Sequence, residues 1–130
     1  HIGFVSIPER VKLVSEAFVC FVPSQYSEPF GGTMIESFLC GTPVISSNFG
    51  AFPENNDSSI LGRRCSHTQE YINALNESYI LLKSNSQIYS TIRSFTQDRY
   101  NLSYISLQYQ DYFKKIYSLC NWGGWDTIYK

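Results

Sequence analysis

Two short strand-like runs, AFVCFV at residues 17–22 and VISS at residues 44–47, flank a segment whose apolar residues recur every three to four positions. That order limits the possible folds more than anything else in the chain. A run of strand length, a helical period and a second run read as a βαβ unit, with parallel strands in one sheet and the helix on its face. The first run is continuous and carries β-branched and aromatic members, as in a strand covered on both faces. Phe21, Val22, Val44 and Ile45 are therefore expected to be buried. In the segment between, Met34, Ile35, Phe38 and Leu39 form a wide apolar stripe. Gly41 suits the left-handed position past a helix end, and Pro43 follows as a stop.

The pattern extends in both directions. HIGFV is a further strand-like run that stops at SIPE, where Pro8 can open a helix. Val11, Val14 and Ala17 or Phe18 then keep helical spacing. After VISS the stretch NFGAFPENNDSS is turn-prone, and ILGRRC reads as one more strand. The last third is helical. Tyr71 or Ile72, Leu75, Tyr79 and Leu82 make one stripe; Ile88, Ile92, Phe95 and Arg99 make a second. A third runs through Ile105, Tyr109, Tyr112 or Phe113, Ile116 and Cys120, with Ser103 as its N-cap.

The expected fold class is thus α/β: a partial Rossmann-like parallel sheet with flanking helices and a helical C-terminal third. Residues 1–66 carry the sheet region, 67–120 a helical continuation of the same domain, and 121–130 an irregular tail. Trp122 and Trp125 in that tail would cover the open side of the sheet or meet another domain.

Charge and composition remove several function classes. A formal net charge of −1 without runs of Lys or Arg argues against a nucleic-acid or anionic-membrane surface. The longest apolar runs are too short for a transmembrane segment. Cys20, Cys40, Cys65 and Cys120 are scattered with no C-x-x-C pair, which favours free thiols and a reducing, cytoplasmic setting. Sequons start at Asn56, Asn76 and Asn101, as chance allows in a chain rich in Asn and Ser. The first residue is His1 and the one methionine is Met34, so a fragment or processed piece is expected.

The stretch SEPFGGTMIESFLCGTPVI, residues 27–45, concentrates the chemistry. In a parallel sheet, ligands bind outside the carboxyl ends of the strands. The loops at residues 25–30 and 48–54 both leave strand ends there. A helix opening near Gly31 presents unsatisfied backbone N–H groups and a partial positive charge, which favour an anion such as a diphosphate. The glycines allow close approach. Glu36, one to two turns in, is an acceptor-only group that suits the adjacent hydroxyls of a ribose. Glu28 precedes the helix, where a sugar attached to the diphosphate would lie. The bland alternative is that both acids are solvated, the glycines only form turns, and the helix only covers the sheet.

The segment VPSQYSEPFGGTMIESFLCGTPVISSNFGAFPE resembles the carboxyl-terminal half of retaining glycosyltransferases of the family 4 kind, which have the GT-B fold. Glu28 and Glu36, with seven residues between them, match that family's E-x7-E signature. Pro23-Ser24, Glu28 to Gly31, Cys40 to Ile45 and Gly50 to Glu54 match its surrounding motifs in order. The resemblance is good over residues 1–62. It implies that Glu36 holds the ribose of a nucleoside diphosphate sugar, and that Glu28 faces the transferred sugar as the catalytic carboxylate. The backbone of Gly31, Gly32 and Thr33 would hold the diphosphate. It also implies a donor substrate without a further cofactor, and an amino-terminal acceptor-binding domain. Family members carry an Arg and a Lys before this region that this sequence does not show, and Ala51 replaces the second glycine of the Gly-rich turn.

No D-x-D is present, so metal-independent transfer is expected. Cys65-x-His67 is only a two-ligand fragment. Ser24 lacks a histidine to activate it and reads as a loop or capping hydroxyl. The tyrosines of the last helix read as packing residues rather than a stacking platform. The competing function is a non-catalytic nucleotide-sugar-binding or interaction module with a degenerate domain of this type. An epimerase or phosphorylase on the same fold is a third reading, although Lys12 alone could serve a phosphorylase's pyridoxal phosphate in the sheet half.

Overall fold

A computed structural model describes residues 1–120. The tail at 121–130, with Trp122 and Trp125, lies outside the described residues. The chain divides into two units, His1–Gln97 and Asp98–Lys130.

The first unit holds three parallel strands in the order β1-β2-β3: β1 (Cys20–Val22), β2 (Val44–Ser47) and β3 (Gly62–Cys65). Cys20 pairs with Val44 and Val22 with Ser46; Val44 pairs with Gly62 and Ser47 with Cys65. The flanking helices are α1 (Ile7–Ser15), α2 (Gly32–Leu39), the short α3 (Phe52–Asn55), α4 (Thr68–Ser84) and α5 (Ile88–Arg99). The α/β parallel fold expected from the sequence is present.

The central strand β2 is buried at all four residues, which explains its short and mostly small sequence VISS. Helix α2 packs against β1 and β2, and α4 against β2 and β3. On the α4 side, Ile45, Cys65 and Ala74 form a core cluster with Val19 and Tyr71 packed on it. Met34, Phe38, Phe52 and Leu61 are the other large, fully enclosed side chains of the sheet region. Each such side chain contributes roughly 1.5–3 kcal/mol by burial. Gly41 adopts the left-handed conformation past α2, at φ 89°. Arg93 on α5 donates to the Cys40 carbonyl at 2.7 Å, fastening α5 to the end of α2.

Several expectations change. Phe21 is 50% exposed rather than buried. Among the described residues β1 is hydrogen-bonded to β2 alone and is therefore an edge strand, and Phe21 touches Tyr71 of α4, ring centroids 5.1 Å apart, without being enclosed. Residues 1–6 form no strand, and Ile2 and Phe4 are exposed. Among the described residues no strand lies beyond β1 to pair with them, and an isolated strand leaves its backbone groups to water. The turn-prone stretch contains α3, which starts at the Phe52-Pro53 pair. The α4 stripe is rotated: Ala74, Ser78 and Leu82 are buried, while Ile72, Leu75 and Tyr79 are exposed. In α5, Thr96 takes the buried place expected of Phe95.

The second unit contains α6 (Leu102–Cys120). Its N-cap is Asn101, not Ser103, because the Asn101 amide oxygen accepts from the Ser103 and Tyr104 N–H groups at 2.9 and 3.3 Å. Tyr109 and Phe113 stack along its surface. All four cysteines are free, as their spacing suggested. Among the described residues no helix is long and apolar enough to cross a membrane. The sequon residue Asn56 is 3% exposed, so the folded chain cannot offer it to a modifying enzyme.

Helix starts make stability pH-dependent. Ser6 and Glu9 close a capping box on α1. Glu70 on α4 accepts the Ser66 N–H. The Ser6 hydroxyl, with the Ser6 N–H behind it, lowers the Glu9 carboxyl below its ordinary value near 4.5. The Ser66 N–H does the same for Glu70. A depressed carboxyl stabilises the fold above its unfolded pKa, and the contribution is lost as pH falls through the folded value. Carboxyl titration by NMR should give midpoints for Glu9 and Glu70 below the ordinary glutamate value, with unfolding easier below about pH 4. Midpoints at the ordinary glutamate value would show that the caps are not held in solution.

Candidate functional site

The site is assembled at the carboxyl edge of the sheet by two loops and the start of α2. The first loop leaves β1 and runs through Ser24 to Gly31; the second leaves β2 and runs into α3. They are tied together along their length. Ser47 Oγ donates to the Ser24 carbonyl at 2.7 Å, and the Ala51 N–H donates to the Glu28 carbonyl at 2.8 Å. Asn55 Nδ2 donates to the Phe30 carbonyl. Gly50 stands at the closest approach, with φ 66°. A Cβ there would lie 2.6 Å from the Glu28 nitrogen and 2.7 Å from its oxygen. The turn therefore admits glycine alone without rearrangement.

Gly31 is the N-cap of α2 at φ 84°, with no side-chain cap on the helix. It rests directly on Phe52: a Cβ on Gly31 would sit 3.1 Å from the Phe52 ring and 3.3 Å from the Met34 methyl. Apolar packing thus fixes the height of the helix start. The Gly31 carbonyl accepts from Met34 and Ile35, as in a first turn. Gly32 and Thr33 are exposed, and their N–H groups make no hydrogen bond among the described residues. These are the donors that a helix start leaves for an anion.

The two glutamates have different surroundings. Glu28 is half-buried, and its Oε1 accepts the Gly31 N–H at 3.2 Å. It also accepts from the Tyr26 phenol, and that bond raises the Tyr26 pKa above its ordinary value. Glu36 lies four residues beyond Gly32, about 6 Å along the helix. Its side chain is 53% exposed, and Oε1 faces Arg10 Nη2 of α1 at 3.4 Å. Glu36, Arg10, Val11, Val14, Leu39 and Cys40 line a groove of about 180 Å³ between α1 and α2.

A family model described as glycosyl transferases group 1 matches residues 1–94. The chain belongs to the group 1 glycosyl transferases. A search of curated proteins gave no match. The matched span of this glycosyltransferase chain includes all three strands and every site residue above. Glycosyl transfer is the activity that the description of the family names.

The structure thus brings Glu28, Gly31, Gly32 and Thr33 to one helix start and sets Glu36 one turn along the same helix. Sequence reading did not find three contributors. Arg10 is 26 residues from its partner Glu36, and no spacing rule links positions on different helices. Nothing in the sequence singled out Tyr26, which lies in the loop before α2. Asn55 fell in a stretch read as a turn, although Phe52-Pro53 was a helix-start signal that could have placed it. Arg63 and Arg64 are engaged elsewhere: Arg63 pairs with Glu77 at 3.1 Å, and Arg64 donates to the Pro53 carbonyl at 3.3 Å.

Proposed function

We propose that this chain holds the nucleoside diphosphate sugar donor of a retaining, metal-independent glycosyltransferase. The observation that carries the reading is the start of α2. Its free Gly32 and Thr33 N–H groups stand at the carboxyl edge of a parallel sheet, with one carboxylate before them and one a turn beyond. The diphosphate lies on the Gly31, Gly32 and Thr33 backbone, where the helix dipole favours its charge. Glu36 accepts from the ribose hydroxyls through the carboxylate oxygen that Arg10 does not face. Glu28 is the catalytic carboxylate, oriented toward the transferred sugar by the Gly31 N–H and the Tyr26 hydroxyl. It stabilises positive charge that develops at the anomeric carbon as the diphosphate leaves.

The test is calorimetric titration of the chain with uridine, guanosine and adenosine diphosphates and their sugar conjugates. Saturable binding of one base series, removed by Glu36→Ala, is the expected result. Absence of binding across all of them would end the reading.

Metal independence has its own expected result. Among the described residues no three His, Cys, Asp or Glu side chains gather, and the cation-binding D-x-D is absent from the sequence. Adding EDTA should change donor affinity less than twofold. A tenfold loss, about 1.4 kcal/mol, would point to a metal-bridged diphosphate.

A non-catalytic binding module is the second reading, and one observation favours it. Glu28 is already engaged by the Gly31 N–H and by Tyr26, which suffices as a structural duty. In that case Glu28→Gln would leave the affinities for a nucleoside diphosphate and its sugar conjugate equally unchanged.

A further inference from the structure

Arg10 has no place in the donor contacts above, yet it is held where it meets the one carboxylate assigned to the ribose. The capping box of Ser6 and Glu9 starts α1 at Ile7, and Glu9 immediately precedes Arg10. Thr42, fully buried beside β2, donates its hydroxyl to the Val14 carbonyl at 2.6 Å. The Thr42 bond ties the carboxyl end of α1 to the sheet, and the capping box keeps the first turn, which leads into Arg10, helical. Its Nη2 lies 3.4 Å from Glu36 Oε1 over a groove whose other walls are Val11, Val14, Leu39 and Cys40.

An unpaired carboxylate one turn from a diphosphate site is a liability. It repels the phosphates at a distance where helix-start N–H groups attract them, and its side chain is free to rotate. A guanidinium on one oxygen removes most of that repulsion and restricts the rotamer. The other oxygen remains open as an acceptor. We infer that Arg10 is a positioning residue for donor binding: it acts through Glu36 by holding that carboxylate and screening its charge from the diphosphate. This rests on the reading of Glu36 as the ribose acceptor. It adds a specific consequence, that loss of Arg10 weakens a nucleoside diphosphate more than the corresponding nucleoside.

The experiment is a double-mutant cycle on the whole chain, with uridine, guanosine and adenosine diphosphates and their parent nucleosides as probes. The variants are Arg10→Met, Arg10→Lys, Glu36→Ala and the double Arg10→Met/Glu36→Ala. Both side chains are about half exposed, so unfolding midpoints are expected to stay near that of the unaltered chain. Arg10→Met should weaken the diphosphate about fivefold and the nucleoside less, and Arg10→Lys should recover part of the loss. In the Glu36→Ala background, Arg10→Met should have no further effect, because its route to the ligand is gone. Losses that simply add in the double variant would overturn the inference and make Arg10 an independent contact. A full effect of Glu36→Ala with none for Arg10→Met would overturn it while leaving the ribose assignment intact. If Glu36→Ala itself changes nothing, the ribose assignment falls, and the role of Arg10 falls with it.

Discussion

Gly50→Ala is expected to cost on the order of 4 kcal/mol and to abolish donor binding with it. Two penalties combine. A non-glycine residue at φ 66° is strained by roughly 1–3 kcal/mol. The added methyl also meets the Glu28 backbone at 2.6 and 2.7 Å, and overpacking against groups that cannot rotate away costs roughly 1–3 kcal/mol more. A loss of that size is a large share of the ~5–15 kcal/mol that holds a domain together. Urea unfolding should show the lower midpoint, and titration with a nucleoside diphosphate the lost binding. Gly32→Ala is the matched control. A Cβ there meets nothing within 4 Å, so its unfolding midpoint should not fall, while a diphosphate lying close on that backbone should be weakened by the methyl. An unchanged midpoint for Gly50→Ala would show that the two loops separate freely in solution.

The second large effect divides the glutamates. Glu36→Ala should weaken a nucleoside diphosphate and its sugar conjugate alike, by roughly 10- to 150-fold, the worth of a hydrogen bond to a charged group. Glu28 needs the milder exchange to glutamine, because its Oε1 accepts the Gly31 N–H and alanine would loosen the helix start as well. Glu28→Gln keeps that acceptor and should leave the free diphosphate almost untouched. It should weaken only the sugar conjugate. Equal losses on the two ligands for Glu28→Gln would refute the sugar-facing role.

The parts of the fold set by local pattern were legible from the sequence. VISS after the helical period of residues 34–39 read as a parallel strand with Val44 and Ile45 buried, and β2 is buried throughout. The Gly-Gly start of α2 and its end at Gly41 followed from backbone conformations that few other residues adopt. Parallel topology then put residues 25–30 and 48–54 at one edge, where their hydrogen bonds join them. What stayed hidden depends on neighbours. Phe21 looks like a core residue until β1 is known to be an edge strand. The α4 stripe could be drawn through either of two adjacent sets of residues, and contact with β2 and β3 selects Ala74, Ser78 and Leu82. Arg10 was out of reach for the same reason, since its partner is on another helix.

The ties between the two loops have a consequence for any attempt to exchange them. Residues 24–31 cannot be transplanted alone, because Ser47, Gly50, Ala51 and Asn55 supply their hydrogen bonds or the space for their backbone. The two loops form one cassette, and Phe52 is its underside. A graft carrying residues 24–31 together with 47–55 would bring its own shape and its own support. A graft of the first loop alone would land on a second loop shaped for a different guest.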